Sequence, residues 1–315
     1  MYLRSFTVYC LLTSVYSQDL IQSLGLKNTW QPSLDNAKPT DPKGGDWNYV
    51  SATKASLDNM KVVVDPLTNT TQNVYSVFYP KNSYSLKSSP IGGVEFFSQP
   101  FAGQNFDRAL LSYEVGFPSD FPWAKGGKLP GIFGGDPKYG CTGGDKNDGD
   151  HCFSARLMWR ERGSGEVYAY IPNSKELCSN PRATCRDKFG VSLGQGVLLN
   201  LGAWNKMQLY IQLNTPGKSN GVLQLYVNDK IWLDMSGMVF RKSGAIAIND
   251  ILFSTFFGGG DPSYATPIDT YTYYRNIQFS VGDPVQLTSD SSIISPGLTL
   301  WSLGISALAG FYYYY

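Results

Sequence analysis

Most of this sequence consists of short apolar runs with the two-residue period of β-strands, and no segment keeps the 3.6-residue period of a helix. From about residue 90 to Phe279 these runs are separated by Gly, Pro and Asn. In the clearest run, residues 206–214, Met207, Leu209 and Ile211 alternate with polar residues, which gives one apolar face and one wetter face. A second alternating run at 222–228 completes a hairpin. Many short antiparallel strands in 315 residues predict an all-β fold, a two-sheet antiparallel β-jelly roll or sandwich.

The two ends of the chain have compositions that differ from this domain. Residues 1–17 combine a short positive start with a mostly apolar stretch, which predicts a secretory signal peptide. Residues 18–284 then form a single jelly-roll domain, and residues 285–315 form a polar spacer and an apolar, uncharged tail. This tail is typical of a GPI-anchor signal, with attachment at Ser289, Asp290 or Ser291, and a single membrane span is the alternative. We therefore expect a secreted protein that an anchor could hold at the cell surface.

The cysteines predict two disulfide bonds. Cys10 lies in the predicted signal peptide, so four cysteines remain in an oxidising compartment, and three pairings are open. We favour Cys141 with Cys152 and Cys178 with Cys185, because each bond closes a loop that contains Gly or Pro. The sequon that begins at Asn69 is consistent with export.

Several classes of function are disfavoured by what the sequence lacks. The formal net charge is only +1, from 26 basic and 25 acidic residues, so there is no electrostatic footprint of a nucleic-acid binder. The one histidine, His151, excludes a zinc site with several histidines. None of the five glutamates is followed two residues later by another acid, which gives a retaining glycosidase little support. The acidic loop 145–150 fails the spacing of a calcium-binding EF-hand and is interpreted as a solvated turn. We expect a monomer that needs no metal or organic cofactor.

Two adjacent strands gather cations and phenols on one face. Strand parity puts Ser154, Arg156 and Arg160 on the same side of the run 153–160, and Tyr168 and Tyr170 share a side of the returning run. If the connecting loop is centred on Gly163, Arg156 lies opposite Tyr170.

These residue types suit β-elimination from a uronate sugar. Fixed positive charge stabilises the enolate-like transition state that forms when the C5 proton leaves. Tyrosine can act as the base and as the acid for the departing O4 if neighbouring cations lower its pKa from about 10. The alternative interpretation is an ordinary polar sheet face with exposed Tyr and Arg.

Residues 126–131, 152–160, 168–170 and 256–264 resemble polysaccharide lyase family 14, whose members are alginate and glucuronan lyases with a β-jelly-roll fold. The resemblance covers about residues 90–280. The flanking glycines predict that Lys128 lies in a turn. The resemblance implies that Lys128 is a catalytic lysine that contacts the substrate carboxylate. It further implies that Ser154 and Arg156 bind substrate and shape the site, and that Tyr168 and Tyr170 transfer protons. The loop between Lys128 and Ser154 is longer here than in that family, which leaves exolytic and endolytic action both open.

Three further aromatic residues are expected to line the groove: Tyr264, Tyr271 and Tyr273. Sugar rings stack on flat apolar surfaces, although packing within the sheets is an equally good interpretation of these tyrosines. The resemblance implies an anionic polysaccharide, glucuronan or alginate, as the binding partner. A non-catalytic carbohydrate-binding jelly roll and a glycoside hydrolase remain the alternatives.

Overall fold

The computed structural model describes residues 19–34, 47–68, 70–144, 149–186 and 188–287. The predicted signal peptide, the Asn69 sequon, residues 145–148 of the acidic loop and the tail from residue 288 lie outside the described residues, so these predictions stay untested. Within the described ranges, no helix has the length and apolar character needed to cross a membrane.

Two antiparallel sheets form the molecule. The back sheet consists of β1 (Asn28–Trp30), β3 (Met60–Val64), β4 (Asn73–Tyr79), β6 (Arg108–Phe117), β12 (Ala203–Gln212), β13 (Gly221–Val227), β14 (Lys230–Met238) and β16 (Thr270–Val281). The front sheet consists of β2 (Tyr49–Ala52), β5 (Val94–Ser98), β7 (Gly126–Gly135), β8 (Cys152–Arg160), β9 (Ser164–Tyr170), β10 (Ala183–Thr184), β11 (Val191–Leu198) and β15 (Ile248–Phe257). This arrangement confirms the predicted two-sheet β-jelly roll.

Strands that lie far apart in sequence are neighbours in both sheets. The order in the front sheet is β10-β11-β9-β8-β7-β15-β5-β2, and in the back sheet it is β14-β13-β12-β6-β16-β4-β3, with β1 also paired to β16. In the ranges that the structure describes, helical structure is limited to a turn at residues 19–23, the four-residue helix α1 (Lys175–Cys178) and short 3-10 turns. Both predicted disulfides, Cys141–Cys152 and Cys178–Cys185, are present, and the second joins the end of α1 to the residue after β10.

The core between the sheets is rich in aromatic side chains. On β8, Trp159 is fully buried and packs edge-on against Phe257 at 5.2 Å between ring centroids. Tyr79 and Tyr274 bring hydroxyls into this core, and both are within 2.7 Å of the Thr255 hydroxyl. Buried hydroxyls that satisfy one another in this way avoid the cost of unpaired polar groups. The inner faces of the two sheets are therefore committed to packing, which leaves the outer faces for binding.

The predicted hairpin of β12 and β13 is present, and its core face is the one expected from the alternation. The other face is drier than the sequence suggests. Tyr210 is buried there against Leu26 and Leu110, because the chain at residues 20–26 packs across this part of the back sheet.

The hairpin of β8 and β9 differs from the prediction by two residues of register. Arg156 pairs with Tyr168, and Ser154 pairs with Tyr170, so Arg156 does not lie opposite Tyr170. The tip is centred on Arg162, which takes the left-handed conformation (φ 59°) together with Gly163 (φ 74°). Because the shift is an even number of residues, every side chain keeps its predicted face.

Lys128 lies within strand β7, although its flanking glycines suggested a turn. A Cβ on Gly127 would lie 2.0 Å from the Trp159 ring, so the absence of a side chain makes room for that indole beneath the strand. Pro130 falls at an irregularity in the pairing with β8, where a missing N–H is tolerated. The glycines therefore serve packing inside a strand.

Candidate active site

Four neighbouring strands of the front sheet carry the candidate site on their outer face. Lys128 of β7 pairs with Met158 of β8 and with Phe256 of β15, while Arg156 of β8 pairs with Tyr168 of β9. The alternate residues of the same strands face the core. The structure therefore brings Lys128, Arg156, Tyr168 and Tyr170 to one surface.

Lys128 lies between two aromatic rings. Its Nζ is 5.1 Å from the ring centroid of Tyr168 and 5.7 Å from that of Phe256. Burial of the amine holds the pKa of Lys128 well below its ordinary value, and the positive charges of Arg156 and Arg160 lower it further. Glu166 and Glu95 oppose this shift in part. At a given pH, Lys128 is therefore more often in its neutral amine form than a surface lysine is.

Arg156 is held from beneath by a polar network. The side chain is almost fully buried, and its Nη1 donates a hydrogen bond to the Ser254 hydroxyl at 3.0 Å. Ser254 in turn donates to Glu95 Oε2 at 2.7 Å, and that oxygen is 3.8 Å from Nη1. Arg156 Nε is buried with no hydrogen-bond partner among the residues that the structure describes. Burial lowers the pKa of Arg156, but a guanidinium stays charged at any working pH.

A second ion pair lies beside Lys128. Arg160 donates from Nε to Glu166 Oε1 at 2.9 Å and also contacts that oxygen through Nη2. Glu166 is 2% exposed and accepts further hydrogen bonds from Ser192 and Gln195. Its carboxylate is therefore saturated with donors and is unsuited to act as a base. Arg160 is a quarter exposed, and its guanidinium lies 5.8 Å from the Tyr168 ring.

The two tyrosines of β9 meet edge to face, with ring centroids 5.6 Å apart. The Tyr168 hydroxyl accepts a hydrogen bond from the Gly190 N–H at 3.0 Å. Burial raises the pKa of Tyr168 well above its ordinary value, and the neighbouring phenol of Tyr170 adds to this shift. The condition for a tyrosine to act as the base, a pKa lowered by nearby cations, is therefore not met at Tyr168, because the Arg160 charge only partly offsets burial. Tyr168 keeps its proton across the neutral range.

Ser154 and Tyr170 belong to the same surface but are engaged by a loop. The Ser154 hydroxyl donates to the Cys141 carbonyl at 2.6 Å, and the Tyr170 hydroxyl accepts from the Gly144 N–H at 2.7 Å. Ser154 is fully buried and Tyr170 is 4% exposed. The direct contact with substrate expected for these two residues stays a prediction.

The three further aromatic residues that were expected to line the groove lie in two different places. Tyr264 lies near the Lys128 end of the site, because a Cβ on Gly259 would touch its ring and one on Gly258 would lie 3.4 Å from Lys128 Nζ. Tyr271 and Tyr273 lie on β16 of the back sheet and alternate with Thr272, which is buried in the core. They therefore point away from the groove, and their expected place in it is wrong. Parity shows that two residues share a face, but it does not say which sheet they join.

Sequence reasoning did not single out Glu95, Glu166 or Phe256 as functional, and it placed Arg160 on the face of the site without giving it a role. The alternation of β9 puts Glu166 on the same face as Tyr168 and Tyr170, so that signal was available. No sequence signal connects Glu95 with Arg156. Their strands, β5 and β8, are not paired with each other, and β15 and β7 lie between them in the sheet. His151 is exposed, and its ring packs against that of Tyr139, with 4.2 Å between the ring centroids.

Comparisons with known proteins bear directly on this arrangement. The family model described as polysaccharide lyase 14 matches residues 67–277. A marine PL-14 alginate lyase from Aplysia kurodai is 32% identical, with a TM-score of 0.65 over 72% of this chain and 88% of that chain. The alginate lyase vAL-1 from Chlorella virus is 25% identical, with a TM-score of 0.63 over 81% of this chain and 100% of that chain.

A curated relative, Exolysin of Paramecium bursaria Chlorella virus 1, is 28% identical over 209 residues, which are 58% of this chain and 31% of Exolysin. The chain thus spans about a third of the length of that relative. The family match, by contrast, covers well over half of the chain and includes every strand that carries the Lys128 surface. The chain therefore belongs to polysaccharide lyase family 14.

Proposed function

We propose that this protein cleaves a polyuronate, alginate or glucuronan, by β-elimination and leaves an unsaturated uronate at the new chain end. The observation that carries the proposal is the Lys128 amine, held beside the Tyr168 ring and between two buried or half-buried arginines. Family membership supports the reaction class, and the names of the two structural relatives support the substrate class.

The cations of the site suit a substrate carboxylate. Arg156 and Arg160 balance the carboxylates of Glu95 and Glu166, so the site gains one excess positive charge when Lys128 takes up a proton. Arg160 approaches the sugar from the exposed side, and Arg156, which is buried below the surface, contributes its charge from beneath. Fixed positive charge in a poorly solvated site stabilises the charge that develops on the C6 carboxylate when C5 loses its proton.

The proton transfers follow from the two shifted pKa values. Lys128, with its lowered pKa, takes the C5 proton as a neutral amine, and Tyr168, with its raised pKa, gives its proton to the departing O4. This assignment differs from the expected one, in which Lys128 and Arg156 neutralise charge and the two tyrosines transfer both protons. Arg156 and Arg160 instead compensate the negative charge that develops on the substrate carboxylate. Tyr170 holds the Tyr168 phenol in place through the edge-to-face contact.

One panel of substrates tests the function against its alternatives. Polymannuronate, polyguluronate, glucuronan and neutral glucans are incubated with the protein, and ultraviolet absorbance of unsaturated uronate is read beside reducing sugar. A lyase raises both signals on at least one polyuronate. A hydrolase gives reducing ends without the absorbance, and a binding module gives neither while still retaining the glycan. Either of these last two results would overturn the proposal.

We further propose that the protein acts outside the cell and is anchored through its C-terminal tail. The two disulfides support export, because such bonds persist in oxidising compartments. Release from intact cells by a phospholipase specific for phosphatidylinositol anchors tests the GPI form. Retention after that treatment would favour a membrane span, and recovery inside the cell would contradict export.

A further inference from the structure

We propose that residues 141–144, here called the covering segment, close the sugar-binding surface beside Tyr170, so that the enzyme cuts close to a chain end. This inference rests on the lyase activity proposed above. It concerns the length of the products and not the chemistry of the step.

Hydrogen bonds fix the covering segment to the sheet at two points. The Cys141 carbonyl accepts from Ser154 on β8, and the Gly144 N–H donates to Tyr170 on β9, at 2.6 and 2.7 Å. Ser154 and Tyr170 are paired in register, so the two contacts span the last row of this hairpin on its outer face. That row is consequently withdrawn from solvent.

The disulfide holds the covering segment down at a third point. Cys141 and Cys152 are both buried, and they belong to an apolar cluster with Phe133, Met158 and both tyrosines of β9. Cys141 itself takes the left-handed conformation, with φ 56°, which its neighbours must maintain. The other disulfide, Cys178–Cys185, lies outside this cluster and provides a matched control.

A second stretch of chain meets the covering segment above the phenols. A Cβ on Gly144 would lie 3.6 Å from the Lys188 carbonyl oxygen and from the Phe189 ring. Gly190, which follows Phe189, donates its N–H to the Tyr168 hydroxyl. The surface that a sugar can reach therefore begins at Tyr168 and continues toward Lys128 and Arg160, the partly exposed cations. A polymer placed for cleavage at Lys128 can extend past the site on that open side, while its other side meets the covering segment after few sugars.

The wild-type enzyme gives the first test. Polyuronate is digested while viscosity and unsaturated-uronate absorbance are recorded together, and products are sized at early times. We expect short unsaturated oligosaccharides from the start and a slow fall of viscosity for each double bond formed. A rapid fall of viscosity at low absorbance, with long products first, would overturn the inference. Absence of any absorbance would instead overturn the lyase function, so the two failures are distinguishable.

A pair of double variants gives the second test. In Cys141→Ser with Cys152→Ser, the covering segment loses its covalent tether, and we expect the viscosity loss per double bond to rise several-fold. In Cys178→Ser with Cys185→Ser, a disulfide is also lost, but this ratio should stay at the wild-type value. Equal ratios in all three proteins, each shown to be folded by its thermal transition, would overturn the inference. If the first variant does not fold, the wild-type digestion still decides whether the enzyme cuts close to a chain end.

Discussion

At the scale of single residues, the low pKa of Lys128 separates two mechanisms. Lys128→Arg keeps the positive charge but removes the neutral amine, because a guanidinium stays protonated. If Lys128 is the base, kcat/KM falls by about 10² to 10⁴. The wild-type kcat/KM should rise with pH as the amine loses its proton, and this rise should be absent in the variant. The raised pKa of Tyr168 places the alkaline loss of activity far above neutral pH. Near wild-type activity in the variant would assign Lys128 to charge neutralisation.

Tyr271 and Tyr273 test the distinction between the two outer faces. Both side chains are partly exposed, and their nearly parallel rings lie 6.2 Å apart on the back sheet. Replacing both with Ala should leave kcat/KM on soluble oligosaccharides unchanged, since neither ring is near Lys128. Tyr264→Ala, at the Lys128 end, should raise KM instead. A loss of kcat/KM in the double variant comparable to that in Tyr264→Ala would return these tyrosines to the groove.

At the scale of elements, the hairpin of β8 and β9 depends on its tip. Gly163 and Gly103 have the same φ of 74°, but a Cβ on Gly163 would lie 2.9 Å from both the Leu199 carbonyl oxygen and the Trp123 ring, whereas no described residue lies within 4 Å of one on Gly103. Gly103→Ala should cost about 1–2 kcal/mol for the left-handed conformation alone. Gly163→Ala should cost about 1–3 kcal/mol more because of overpacking. Thermal and urea unfolding measure the difference; equal losses would show that the Trp123 ring and the Leu199 carbonyl both move aside freely.

The same hairpin shows which features of the fold can be predicted from the sequence and which cannot. Alternation in residues 153–160 identifies the face of Arg156, because parity is a local property of one strand. The pairing of Arg156 with Tyr168 was missed, because the centre of the tip depends on Arg162 accepting a left-handed conformation that its residue type disfavours. Lys128 was placed in a turn for a related reason: glycines that accommodate Trp159 across the strand cannot be told from turn glycines without knowing the partner.

At the scale of the whole molecule, the two-sheet architecture and both disulfides followed from the sequence, whereas the electrostatics of the site did not. The charge around Lys128 comes from β8 and β9, which form a hairpin, and from β5, which β7 and β15 separate from that hairpin in the sheet. Such pairs are set by topology, and topology is a global property. The shifted pKa values on which the proposed mechanism depends could not be found before the fold was known.

Asp250 links the stability of the whole fold to pH. It is fully buried on β15, and burial raises its pKa to about 7, with the charge of Asp136 adding to the shift. The folded state therefore holds a proton that the unfolded chain releases near pH 4, so the free energy of unfolding falls as pH rises from about 4 to 7. The full effect is on the order of 4 kcal/mol. Asp250→Asn carries no titrating proton, so it should be more stable than the wild type above pH 7 and lose that advantage near pH 4. Denaturant unfolding of both proteins at the two pH values measures the difference in their free energies of unfolding. The other titrating groups contribute equally to both proteins and therefore cancel in this difference. An advantage of equal size at both pH values would show that the pKa of Asp250 is the same in the folded and unfolded states.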